Sequence, residues 1–198
     1  MLRRLGTLLY VVGVLLLAHV GVVAGRGWMA RARARSAWEA GEARLAVAHV
    51  TAALASSAPT PAPRAGAPVA RIAIPRIGVD EIVVEGVDGD ELNAGPGHLP
   101  GSALPGADGN AIVSAHRDRH FHGLDELVLG DTILTESAAG RIEWTVTGRR
   151  VVERGAPALF TTGDATLTLT TCWPVRYVGP APERLILTAK PIRRLPQA

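Results

Sequence analysis

The sequence holds a single cysteine, Cys172, in 198 residues. No internal disulfide can form and one thiol cannot by itself hold a metal, which leaves a buried inert thiol, a link to another chain or a reactive nucleophile. Aromatic residues make up only 4% of the chain, while Val, Ile, Leu and Thr crowd its second half, a mixture that suits pleated strands better than long helices. A basic stretch interleaved with aromatics is also missing. The 21 Lys and Arg against 18 Asp and Glu are scattered or gathered near the N-terminus, which gives nucleic-acid binding little support. Two large domains do not fit, because 47% hydrophobic content in this length fills one ordinary core once an anchor and a linker are subtracted.

What is present begins with a run without formal charge. Leu5 to Ala24, LGTLLYVVGVLLLAHVGVVA, is twenty residues long, enough at about 1.5 Å per residue to cross a hydrocarbon core of about 30 Å. A cleaved secretory signal has a shorter apolar region of roughly 7 to 15 residues, so a retained membrane anchor over residues 1–25 is expected. Ala34 to Ala55 is rich in Ala, Glu, Arg and Leu without proline, the composition of a helical stalk that acts as a spacer. Ser56 to Pro68, SSAPTPAPRAGAP, has almost no large apolar side chain and reads as an extended linker. Stalk and linker together take residues 26–68, and the folded domain is expected over residues 69–198.

Within that domain, strand patterns recur at short intervals. Ala70 to Val84 is interrupted by Pro75 and Gly78. Asn110 to His116, Asp131 to Glu136, Arg141 to Val152, Thr166 to Cys172 and Arg184 to Lys190 follow. In Arg141 to Val152, Ile142, Trp144 and Val146 alternate with Glu143, Thr145 and Thr147, a period of two. At least six strands without a convincing long helix between them predict a closed or nearly closed antiparallel barrel, which manages its edges best. Asn93 to Gly109, dense in Gly and Pro, predicts a structured loop with one helical turn.

Cys172 shares strand parity with Thr166, Thr168 and Thr170 and opposes Leu167 and Leu169, so it points away from the apolar core. A structural cysteine more often takes the leucine parity. The loop from Trp173 to Glu183 joins two strands that would pair as an antiparallel hairpin, setting Arg184 close to Cys172. A guanidinium there could stabilise negative charge on a carbonyl oxygen, with Arg176 in the loop as its rival. His116 ends its strand with the parity of Ile112 and Ser114, and an imidazole can take and return the proton that acyl transfer by a thiol requires. The segment HRDRHFH admits another reading: His116, His120 and His122 have a spacing that could ligate zinc in a non-catalytic surface module.

SAHRD around His116, TLTTC ending at Cys172 and ERLIL beginning at Glu183 resemble the His, Cys and Arg signatures of sortases, in the same order and with similar spacing. Gly95 to Asn110, GPGHLPGSALPGADGN, resembles the stretch before the catalytic His of class D and related sortases. The resemblance covers Val69 to Ile192 and implies an all-β, closed eight-stranded barrel with short helices behind an N-terminal transmembrane helix. It implies a cysteine transpeptidase that cleaves an LPXTG-like sorting signal through a thioester and passes the acyl group to an amine of a cell-wall precursor or pilin. A cysteine hydrolase on the same barrel is the related alternative. The roles implied are Cys172 as nucleophile, His116 as acid/base and Arg184 as oxyanion or substrate stabiliser, with Thr171 and Ser114 lining the peptide groove. No tight acidic cluster marks a calcium site, and no metal or cofactor is expected. Such an enzyme works outside the cell membrane. The positive-inside rule alone, with Arg3 and Arg4 before the span and Arg26, Arg31, Arg33 and Arg35 after it, would put the domain in the cytoplasm.

Overall fold

The structure, a computed structural model, describes residues 2–52, 62–138, 140–155, 163–177 and 179–195. Helix α1 (Leu2–Ala52) leads into strands β1 (Pro68–Ile74) and β2 (Val79–Glu85). A short helix α2 (Gly89–Ala94), β3 (Gly97–His98), β4 (Asn110–Ala115), β5 (Thr132–Ser137), β6 (Gly140–Glu153), β7 (Thr166–Trp173) and β8 (Glu183–Leu195) complete the chain. These eight strands close into a barrel in the order β1-β2-β3-β4-β7-β8-β6-β5.

The alternation seen in the sequence decides what fills the barrel. Ile142, Trp144 and Val146 of β6, Leu167 and Leu169 of β7, and Leu185, Leu187 and Ala189 of β8 all point into one core with Ile72, Ile74 and Val113. Burying each large side chain contributes about 1.5–3 kcal/mol. Trp144 is the bulkiest of the fully buried residues, and its Nε1–H donates to Thr135 Oγ1 at 2.7 Å, so its one polar atom is satisfied. Between β1 and β2 the chain turns through a single 3-10 turn at Pro75–Ile77, closed by Gly78 at φ 66°. Pro75 supplies a preset φ and Gly78 the left-handed backbone that other residues resist.

The barrel is not wholly antiparallel, which corrects the sequence expectation. Strands β2 and β3 pair in parallel, and so do β4 and β7. The chain leaves β4, builds β5 and β6 on the far side, and only then returns beside β4 as β7. The C-terminal ends of β4 and β7 therefore lie at the same rim, whereas an antiparallel pair would put them at opposite rims. The Gly- and Pro-rich loop also differs from expectation: its helical turn lies just ahead of it, as α2, and the loop itself carries β3. A Cβ on Gly95 would run into the carbonyl oxygen of Ile82, and one on Gly97 into that of Gly86. Only glycine lets the backbone come this close.

The expected anchor and the stalk as far as Ala52 form one unbroken helix, and the stalk is more than a spacer; the end of the stalk and the linker over residues 53–61 lie outside the described residues. Ala34 is buried and Trp38 half-buried against Ile82 and Val84 on the outside of β2. Gly27, Ala30, Ala34, Trp38 and Gly41 are the less exposed positions of this stretch, spaced three and four apart along one helix face. Upstream, α1 contains an apolar window long enough to cross a membrane, none of it buried against the rest of the protein.

Candidate active site

Strand β7 is built from alternating Leu and Thr, and Cys172 is its half-buried seventh residue. Leu167 and Leu169 face the core, so Cys172 stands on the outer face, as its parity required. That face is less open than a solvated strand face. Thr166, Thr168, Thr170, Ile112 and Ile186 are all buried, and Thr168 Oγ1 donates to Asn110 Oδ1 at 2.8 Å. Burial relaxes only toward the rim, where Ser114 and Cys172 are half-buried. Thr171 belongs to the opposite parity: it is buried, and its hydroxyl donates to the Ala115 carbonyl at 2.8 Å, sewing β7 to β4.

Two registers bring the candidate groups together. Across the antiparallel β7–β8 pair, Cys172 lies directly opposite Arg184. Across the parallel β4–β7 pair, Ala115 lies opposite Thr171, so His116 and Cys172, the next residue of each strand, leave at the same rim. Arg184 is half-buried and its Nη1 donates to the Glu183 carbonyl at 3.2 Å. Arg176, the rival cation, is 84% exposed and lies 3.8 Å from Glu126. Burial holds the His116 pKa below its ordinary value; Asp118 pulls it up, while Arg119 and His120 push it down. An imidazole held in this way is neutral, and so able to accept a proton, over more of the physiological range.

One further residue at this rim, Arg117, lies inside SAHRD but has no role legible from the sequence alone. Arg117 donates to the carbonyls of Pro174 at 2.9 Å, Tyr177 at 2.9 Å and Gly179 at 2.7 Å, and its guanidinium lies 5.6 Å from the Tyr177 ring centre. The residue after His116 thus holds the loop that runs from Cys172 to Arg184. Its partners are main-chain oxygens, which every residue possesses, so no side-chain pattern could have announced it. Beside it, Trp173 packs against the core, and Arg149 lies over its ring at 5.8 Å. The loop before β4 is pinned by His98, whose Nδ1 lies 2.6 Å from Glu85 Oε2 and whose Nε2 lies 2.9 Å from both Ser102 Oγ and the Ala103 carbonyl.

The other histidines part company. His120 is buried under α1 beside Glu81, while His122 is exposed. Among the described residues no three His, Cys, Asp or Glu side chains cluster as a metal would need. The zinc module read from HRDRHFH therefore has no site here.

A closed barrel with its one thiol at a rim shared by an imidazole and a guanidinium falls in the class of cysteine transpeptidases. The sortase-domain family model matches residues 72–192, and the chain belongs to the sortase family. It is similar to Sortase D of Bacillus subtilis (strain 168), 33% identical over 130 residues that span 65% of this chain and 66% of that relative. Among solved structures it is similar to a Clostridium perfringens Sortase D5 transpeptidase, at TM-score 0.59 and 27% identity over 66% of this chain and 82% of that one. A Clostridium perfringens sortase C solved with the C-terminal cell wall sorting motif gives TM-score 0.58 and 26% identity over 66% of this chain and 73% of that one.

Proposed function

We propose that this protein is a membrane-anchored transpeptidase that cuts an LPXTG-like sorting signal and joins the new acyl end to an amine. The pairing of Cys172 with Arg184 across β7 and β8, one step from the end of β4, is the observation that carries this reading. The Cys172 thiol gives its proton to His116 and its sulfur attacks the carbonyl carbon of the signal's threonine. Arg184 opposes the charge on the carbonyl oxygen. As the carbon–nitrogen bond breaks, the imidazolium protonates the departing amine and a thioester remains. An incoming amine then attacks the thioester, loses its proton to the imidazole, and frees the thiolate. Ser114, half-buried on the outer face, lines the peptide groove; Thr171, expected to line it too, is buried on the opposite face and instead ties β7 to β4. The sorting motif seen with a sortase C supports a peptide substrate of this kind, and the acceptor is an amine of the cell wall or a pilin.

Residues 1–25 serve as the anchor, residues 26–68 as stalk and linker, and residues 69–198 as the catalytic barrel on the extracytoplasmic side. The test uses full-length protein in detergent micelles with a Leu-Pro-Ala-Thr-Gly peptide and triglycine. The expected result is a thioester at Cys172, a triglycine-linked product, and no turnover in Cys172→Ala. Retained turnover in that variant would overturn the reading, and product formed only with water would make the enzyme a hydrolase.

A further inference from the structure

The turn that follows His116 is held from outside the barrel. His120 is fully buried, with Nδ1 3.2 Å from Glu81 Oε1 of β2 and 3.1 Å from Arg31 Nη2 of α1. Arg31 Nη2 in turn lies 3.6 Å from the same Glu81 oxygen. The neighbouring Phe121 is buried in the core, and its N–H donates to the His116 carbonyl at 3.1 Å. Arg119, one turn position earlier, donates to Asn93 Oδ1 at 2.6 Å, beside the point where Gly27 of α1 passes. Displacement of His120 therefore reaches His116 through a closed turn of a few residues, and α1 touches that turn at two places.

The chemistry at His120 makes the contact selective. Arg31 can only donate, so it satisfies Nδ1 only when that nitrogen carries a lone pair; Glu81 can accept from Nδ1 only when it carries a proton. Both partners crowd one nitrogen, while the buried Nε2 atom has no hydrogen-bond partner among the described residues. Arg31 reaches this nitrogen from α1 and Glu81 from β2.

Resting on the reading of His116 as acid/base, we infer that Arg31, Glu81 and His120 form a clasp by which the membrane-proximal part of α1 positions the catalytic imidazole. The three act as positioning residues, and seating of the helix on the barrel becomes a condition for full turnover. Charged and titratable groups around His116 are Asp118, Arg119 and His120 on its own turn, with Cys172 and Arg184 on the adjoining strands. Those around His120 are Arg31, Glu81 and His116.

The experiment follows alkylation of Cys172, the one cysteine of the chain, by iodoacetamide across pH in the full-length protein in micelles. The inflection due to His116 is the one that His116→Ala removes. Arg31→Ala and His120→Gln are expected to move that inflection and to lower peptide turnover by about three- to tenfold, mainly in kcat. Arg31→Lys, which keeps the charge, should restore most of it, and Arg31→Ala combined with His120→Gln should lose little more than either alone. If the inflection persists in His116→Ala, the acid/base reading falls and the clasp with it. If it disappears there but Arg31→Ala and His120→Gln leave profile and turnover at the wild-type level, the clasp alone is overturned. Should His120→Gln not fold, Arg31→Ala carries the test unaided, since that side chain is 45% exposed.

Discussion

Two charges of opposite sign flank the His116 imidazole in its own turn. Burial lowers its pKa; Asp118 opposes the shift and Arg119 adds to it. The acid limb of kcat/KM set by this group should therefore fall below the ordinary histidine value of about 6.5. Asp118→Asn should move it lower still and Arg119→Gln higher; a shift in the reverse order, measured as kcat/KM against pH, would contradict this assignment. The same sign governs stability. A histidine kept neutral contributes fully above about pH 6.5, and that contribution is lost as pH falls through its lower folded value. In the core, Thr135→Val should cost about 1–3 kcal/mol in urea unfolding, because it leaves the buried Trp144 N–H without its acceptor.

At the scale of elements, the loop between β7 and β8 depends on Arg117. Removing its three hydrogen bonds to Pro174, Tyr177 and Gly179 frees the segment between Cys172 and Arg184. Arg117→Ala should lower kcat/KM by about 10- to 100-fold, or about 1.4–2.7 kcal/mol of barrier. Arg117→Lys should recover little, since a single ammonium cannot fork across separated carbonyls. Gly97→Ala should break the parallel β2–β3 pair by forcing a methyl against the Gly86 carbonyl, seen as a lower melting temperature.

How far the elements could be read from sequence follows from whether their partners are local. The β7–β8 hairpin joins neighbours in the chain, so period two and a loop length were enough to bring Arg184 opposite Cys172. The β4–β7 pairing leaves no such trace, because strands that meet only after two others have formed share no local pattern, and the barrel was expected to be antiparallel. The docking of α1 was hidden for another reason. Its contact stripe is mostly Gly and Ala, residues that add little to an apolar pattern yet let a helix sit close to a sheet. His98 was lost in a segment whose Gly and Pro content spoke only of a loop.

For the whole molecule, the continuous helix fixes how barrel and anchor stand to each other. Gly27 and Ala34 already face the barrel, so only a few helical residues separate them from the apolar span that ends near Ala24. Trp28, 72% exposed next to that span, is of the residue type favoured where a membrane-spanning helix meets the headgroups. A membrane-impermeant maleimide added to intact cells should label Cys172 if the barrel is extracytoplasmic. Protection until the cells are lysed would reverse the topology.

The parallel seam between β4 and β7 also bears on when the protein becomes reactive. Ala115 and Thr171 are 56 residues apart, and contacts between such distant segments are slow to form, because ring closure is costly before it is rewarded. During folding the Cys172 sulfur has no imidazole beside it until β7 docks against β4. An unfinished or misfolded copy is thus a harmless thiol, and chemical competence itself certifies that the barrel has closed.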